Sequence, residues 1–126
     1  MLTIIFRLPY VLIFGGIQAF KKKDYVLING YSNRYFGWGS EDDDLSRRVV
    51  SSGFKLTRPS ATIGRYKMNK LKHNRSDQRN PGNEKVYNSN AKEQHKDGLN
   101  SISSLNFTIA MHEEQFCTFV SIDIFR

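Results

Sequence analysis

The stretch FGWGSEDDDLSRRVV, residues 36–50, decides how this chain is read. Two glycines bracket Trp38, and four acids, Glu41, Asp42, Asp43 and Asp44, follow in an unbroken row. The chain that carries them is basic, with a formal net charge of +7 over 126 residues. Ser40 stands as N-cap with Asp43 at the capping-box position, and Leu45 and Val49 repeat at i, i+4 with Val50 beside them. Gly53 sits where such a helix would stop. The spacing predicts a helix over 41–51, entered from a loop of glycines and aromatics.

Two readings of the acids compete. Acids complement the dipole at a helix start and cap its free N–H groups. That explains one or two of them. Successive helical positions lie about 100° apart, so four carboxylates splay around the axis and cannot all cap. Their mutual repulsion raises some of their pKa values, which suits a site that receives a proton, a cation or sugar hydroxyls. The loop before them bears on the choice. Aromatic faces stack on the C–H faces of sugars while carboxylates accept from the hydroxyls. Gly37 and Gly39 would let Trp38 swing as a lid; the plainer alternative is a core anchor in a tight turn.

Working outward, Val11 to Phe14 reads as a short buried strand ending at Gly15-Gly16, and Tyr25 to Ile28 as a second apolar run closed by Asn29-Gly30. Residues 61–68, ATIGRYKM, read as a strand. From Asn69 to Gly98 apolar residues are sparse, which predicts one long mobile loop. Leu105 to Met111 and Thr118 to Ile124 read as a closing hairpin. Arg7 and Pro9 interrupt the apolar run at the N-terminus, against a membrane span or a cleavable signal. The single cysteine, Cys117, permits no disulfide within the chain. The positive balance suits an anionic partner. Nucleic acid is disfavoured, because no helix-turn-helix, RRM or zinc signature is present and the acid row would oppose a phosphate backbone.

In chain order, FGG (14–16), INGYSNRYFGWGSEDDDL (28–45), RP (58–59), GRYKM (64–68) and DGLNS (97–101) resemble the catalytic C-terminal part of the β-1,4-galactosyltransferase family. The resemblance runs from about Arg7 to the end. It implies a single partial domain over 1–126, the C-terminal part of an α/β nucleotide-diphospho-sugar transferase fold of Rossmann-like, GT-A type. It implies an inverting, metal-dependent glycosyltransferase that moves a hexose from a UDP-sugar to a terminal N-acetylglucosamine-type acceptor in β-1,4 linkage, with Mn²⁺. By the same resemblance Asp42 is the general base, and Glu41 and Asp43 orient acceptor and donor hydroxyls. Trp38 closes over both sugars, Gly16 meets the donor diphosphate, Tyr10 and Tyr35 line the acceptor site, and Met68 and His73 ligate the metal. The family works in the Golgi lumen behind a membrane anchor absent from this chain.

The sequence also departs from the family pattern. No D-x-D occurs apart from the acid row itself, which implies that the D-x-D ligand and the uridine site are missing and that the chain is inactive alone. The alternative is a non-catalytic carbohydrate-binding remnant of the same family. Met68 and His73 are spaced M-x-x-x-x-H where the family has M-x-x-H. Ile13 stands where galactose-transferring members carry tyrosine, which favours N-acetylgalactosamine over galactose as donor sugar. The acceptor N-acetyl pocket falls to Lys85, Val86 or Tyr87 without a choice among them.

Overall fold

The structure is a computed structural model that describes residues 9–64, 66, 80–104 and 106–125. Among these, three α-helices come first: α1 (Lys22–Leu27), α2 (Glu41–Ser51) and α3 (Gly82–Asn90). A 3₁₀ helix (Leu99–Ser104) follows, then an antiparallel pair, β1 (Asn106–Glu113) and β2 (Thr118–Phe125).

The helix predicted over 41–51 is present with those bounds. Its C-terminus closes as expected at Gly53, whose φ is 81°. The Gly53 N–H donates to Val50 O at 3.0 Å and the Phe54 N–H to Val49 O at 3.1 Å, the paired bonds of a Schellman end. Its N-terminus differs from the expectation. Ser40 lies in the left-handed region, φ 70°, and makes no side-chain cap bond. An N-capping serine needs extended backbone to aim its hydroxyl at the helix, and Ser40 does not have it. The first two acids bond nearby backbone instead: Glu41 Oε2 accepts from the Gly39 N–H at 3.0 Å, and Asp42 Oδ1 from the Asp43 N–H at 3.0 Å.

Leu45 and Val49 form the apolar core with Ile28, which caps α1. Phe14, Phe20, Tyr25, Tyr31, Phe54 and Leu56 pack around them, with Phe14 edge-on to Phe20. Val50, expected to help this face, is exposed. A second, polar core lies beside the first. Asp44, Arg48, Asn83, Asn90 and Asp97 are buried. Buried polar groups at this density persist only if each finds partners. Arg48 Nε donates to Asp44 Oδ2 at 2.9 Å, and its Nη1 to Asp97 O at 2.6 Å and Gly30 O at 3.2 Å. Asn90 Nδ2 donates to the same Asp44 oxygen at 3.0 Å.

Three expected elements are corrected. Val11 to Phe14 is not a strand: Val11 and Leu12 form an exposed turn closed by Ile13 N–H to Tyr10 O at 3.3 Å. The Val11 and Ile13 carbonyls that a sheet would bond accept instead from the Arg58 guanidinium, at 3.1 and 2.6 Å. Ala61 to Ile63 form a turn over the Ser60 carbonyl, while Arg65, Lys67 and Met68 lie outside the described residues. The loop expected over 69–98 contains α3. That helix escapes hydrophobic periodicity because its two buried residues are the amides Asn83 and Asn90. The hairpin expectation holds: β1 and β2 pair from Asn106↔Phe125 to Glu113↔Thr118.

Candidate functional site

The site is built on the first turn of α2, and its four acids have four different surroundings. Asp44 faces inward and is held by Arg48, by Asn90 and, as an ion pair, by Arg47. Glu41 turns back over Gly39. Asp43 Oδ1 accepts from the Tyr10 hydroxyl at 2.7 Å, and this bond pushes the Tyr10 pKa up to about 12, with burial and the Asp43 and Asp42 charges adding to it. Asp42 is half-buried, and its carboxyl is raised above the ordinary aspartate value, chiefly by burial and then by the adjacent Asp43 charge.

The burial of Asp42 has a specific source. A Cβ built on Gly15 would lie 2.5 Å from Asp42 Oδ2. The carboxylate therefore occupies the space that any other residue at 15 would fill. The segment 10–16 lies across the start of α2, with Tyr10 on Asp43 and Gly15 on Asp42. Sequence reasoning singled out Gly16, whose φ of 100° requires glycine but whose surroundings are open. Gly15 was missed, since a close approach between residues 27 apart leaves no local signal.

A cleft of about 640 Å³ runs between α2 and α3. Tyr10, Asp43 and Arg47 form one side, and Glu84 and Tyr87 from α3 the other. Arg47 lies 4.1 Å over the Tyr87 ring and donates to Tyr87 O at 2.8 Å, fixing that wall. Of the three residues left open for a pocket in this region, Tyr87 lines the cleft; Lys85 and Val86 do not. Asp42, Glu41 and Trp38 also lie outside its lining.

Trp38 is 49% exposed, between Gly37 at φ 67° and Gly39 at φ 121°, so it is no core anchor. Ile13 is half-buried in the segment held by Arg58. Tyr35 points inward: its hydroxyl is buried with no hydrogen-bond partner among the described residues, and burial followed by the Asp44 charge raises its pKa. Met68 and His73 lie outside the described residues. Among the described residues no three of His, Cys, Asp or Glu gather to hold a metal ion, and no helix is long and apolar enough to cross a membrane.

Residues 3–74 match the family model described as the N-terminal domain of galactosyltransferase. Beta-1,4-galactosyltransferase 1 of Mus musculus is 43% identical over 101 residues, which are 78% of this chain and 25% of that protein. The Bos taurus protein of the same name is 36% identical over 122 residues, 94% of this chain and 29% of the relative. The chain thus spans about a quarter of the length of the curated relatives it matches. The crystal structure of the catalytic domain of Drosophila beta1,4galactosyltransferase 7, in complex with xylobiose, aligns with a TM-score of 0.57 and 25% identity. That alignment covers 82% of this chain and 46% of the solved one. With the acid helix, its glycine partner and the family match in agreement, the chain belongs to the β-1,4-galactosyltransferase family.

Proposed function

We propose that this chain carries the base and acceptor side of an inverting sugar transfer. A UDP-hexose is the donor and an N-acetylglucosamine-type glycan the acceptor, joined in β-1,4 linkage. Asp42 removes the proton from the acceptor 4-hydroxyl as that oxygen attacks the anomeric carbon, and UDP departs with the electron pair of the broken bond. The observation that carries this reading is the Asp42 carboxyl packed on Gly15 beside a second carboxylate, with its proton affinity raised. A base working near neutrality gains from such a shift. Asp43 and Tyr10, already hydrogen-bonded to each other, would exchange that bond for acceptor hydroxyls in the cleft. Trp38, half-exposed beside the acids in sequence, would supply the stacking face.

Donor choice rests on Ile13, whose aliphatic side chain leaves room for a C2 acetamido group and removes a tyrosyl hydrogen bond. N-acetylgalactosamine is therefore the proposed donor sugar ahead of galactose. Mn²⁺, the ligand roles of Met68 and His73, the Rossmann-like fold and the Golgi location rest on the family resemblance. Among the described residues no cluster of three ligands for the metal is present.

The test is transfer by the whole protein from both UDP-sugars to N-acetylglucosamine. Asp42→Asn should lower turnover by about 10²–10⁴-fold, the usual worth of a positioned base. Unchanged turnover would overturn the base assignment, and a clear preference for UDP-galactose would end the Ile13 reading.

A further inference from the structure

The loop that presents Trp38 is held through its backbone. Gly37 and Gly39 flank the ring, and a Cβ at Gly39 would meet nothing within 4 Å. The backbone polar groups of the loop are taken by α3 and by Asn80, two residues before its start. Asn83 is buried, 3% exposed, and its amide reaches both ends of the loop. Nδ2 donates to Gly39 O at 2.8 Å and to Phe36 O at 3.1 Å, while Oδ1 accepts from the Phe36 N–H at 3.4 Å. Asn80 adds its own N–H to Trp38 O at 3.3 Å and its Nδ2 to Phe36 O at 3.1 Å.

We infer that Asn83 is a positioning residue for Trp38, fixing the stacking ring by bridging the backbone on both sides of the Gly37-Trp38 pair. Only a primary amide supplies both the donors and the acceptor this bridge uses, and glutamine would carry them one methylene too far. The neighbouring Glu84 lines the cleft, so a sugar seated there would touch α3 next to the residue that fixes the ring. The meaning of this for catalysis rests on the proposed role of Trp38 in sugar stacking; the bridge itself does not.

Trp38 is the only tryptophan in the chain, so its fluorescence reports the loop alone. Acrylamide quenching is compared for the full chain and the Asn83→Ala variant, with far-UV circular dichroism recording the helices. Release of the ring should raise the quenching constant by up to about twofold, since a side chain 49% exposed can roughly double its accessible area, with emission moving to the red. A quenching constant equal to that of the parent chain, with helices intact, overturns the inference. Should Asn83→Ala fail to fold, Asn83→Asp keeps the shape of the side chain and its acceptor but removes both Nδ2 donations to the loop. A smaller rise supports the bridge, and no rise overturns it. Because no sugar is added, failure here is distinct from failure of the proposed transfer reaction.

Discussion

Asp44 and Asp42 are two residues apart on one helical turn, yet they belong to different kinds of chemistry. Asp44 is buried and spends its oxygens on Arg48, Arg47 and Asn90. Asp42 packs Oδ2 against a glycine, and burial there, with the Asp43 charge beside it, raises its proton affinity. The difference teaches that a row of like charges need not share a task. The inward acid ties the helix to the rest of the molecule, which leaves Asp42 free to sit half-buried beside a like charge. A half-buried charge beside a like charge is stability forgone, and it is tolerable because the turn is secured elsewhere.

The largest effect should come from breaking the inward side. Arg48→Ala leaves Asp44 and the Asp97 carbonyl buried without their main donor, and should cost roughly 3–5 kcal/mol in denaturant melts. A loss below about 1 kcal/mol, the level of an exposed ion pair, would mean the knot is incidental. Gly15→Ala acts on the outward side. Its methyl would displace the Asp42 carboxylate, at a cost of about 1–2 kcal/mol typical of such crowding. It should also return the Asp42 titration, followed by carboxyl carbon NMR, toward that of a solvated aspartate. An unmoved titration would show that Gly15 is not the source of the burial.

The smallest effect is one of pH. The folded chain holds the Asp42 proton to higher pH than the unfolded chain, whose value lies near 3.8. Asp42 therefore adds stability that is fully present below the unfolded value and lost as pH rises through the raised folded one. Asp42→Asn removes that loss. Melting temperatures taken from about pH 3 to about pH 7 should show the variant gaining on the parent as pH rises. Parallel curves would contradict the raised affinity.

What the sequence made legible follows the range of the interactions involved. The helix 41–51, its Gly53 stop and the closing hairpin each rest on neighbours a few residues apart, and each was readable. In the hairpin, Phe107, Ile109 and Met111 share one face with Val120 and Ile122, a period-2 pattern that needs no tertiary context. Helix α3 was not readable, because it packs through amides, and amides look like loop residues in a hydropathy pattern. The expected strand at Val11 to Phe14 failed because its carbonyls bond Arg58, 45 and 47 residues away. Within the site, the acid row stands out in the sequence itself and Tyr10 only through the resemblance; the folded chain joins Tyr10 to Asp43 by a hydrogen bond. Gly15, Asn83 and Arg48 were missed, since each acts on a partner that only the folded chain brings near.

One junction has a consequence for how this molecule comes into being. Asn29, at φ 60°, donates through Nδ2 to Gln94 O at 3.0 Å and to Asn100 Oδ1 at 2.7 Å, and its carbonyl accepts from the Leu99 N–H at 2.9 Å. A side chain on Gly98 would collide with that carbonyl. The partners are 65 to 71 positions apart, so a nascent chain emerging from the ribosome cannot close this junction until translation has passed Asn100. The acid row is likewise made before Asp97, whose carbonyl holds Arg48 of the same helix.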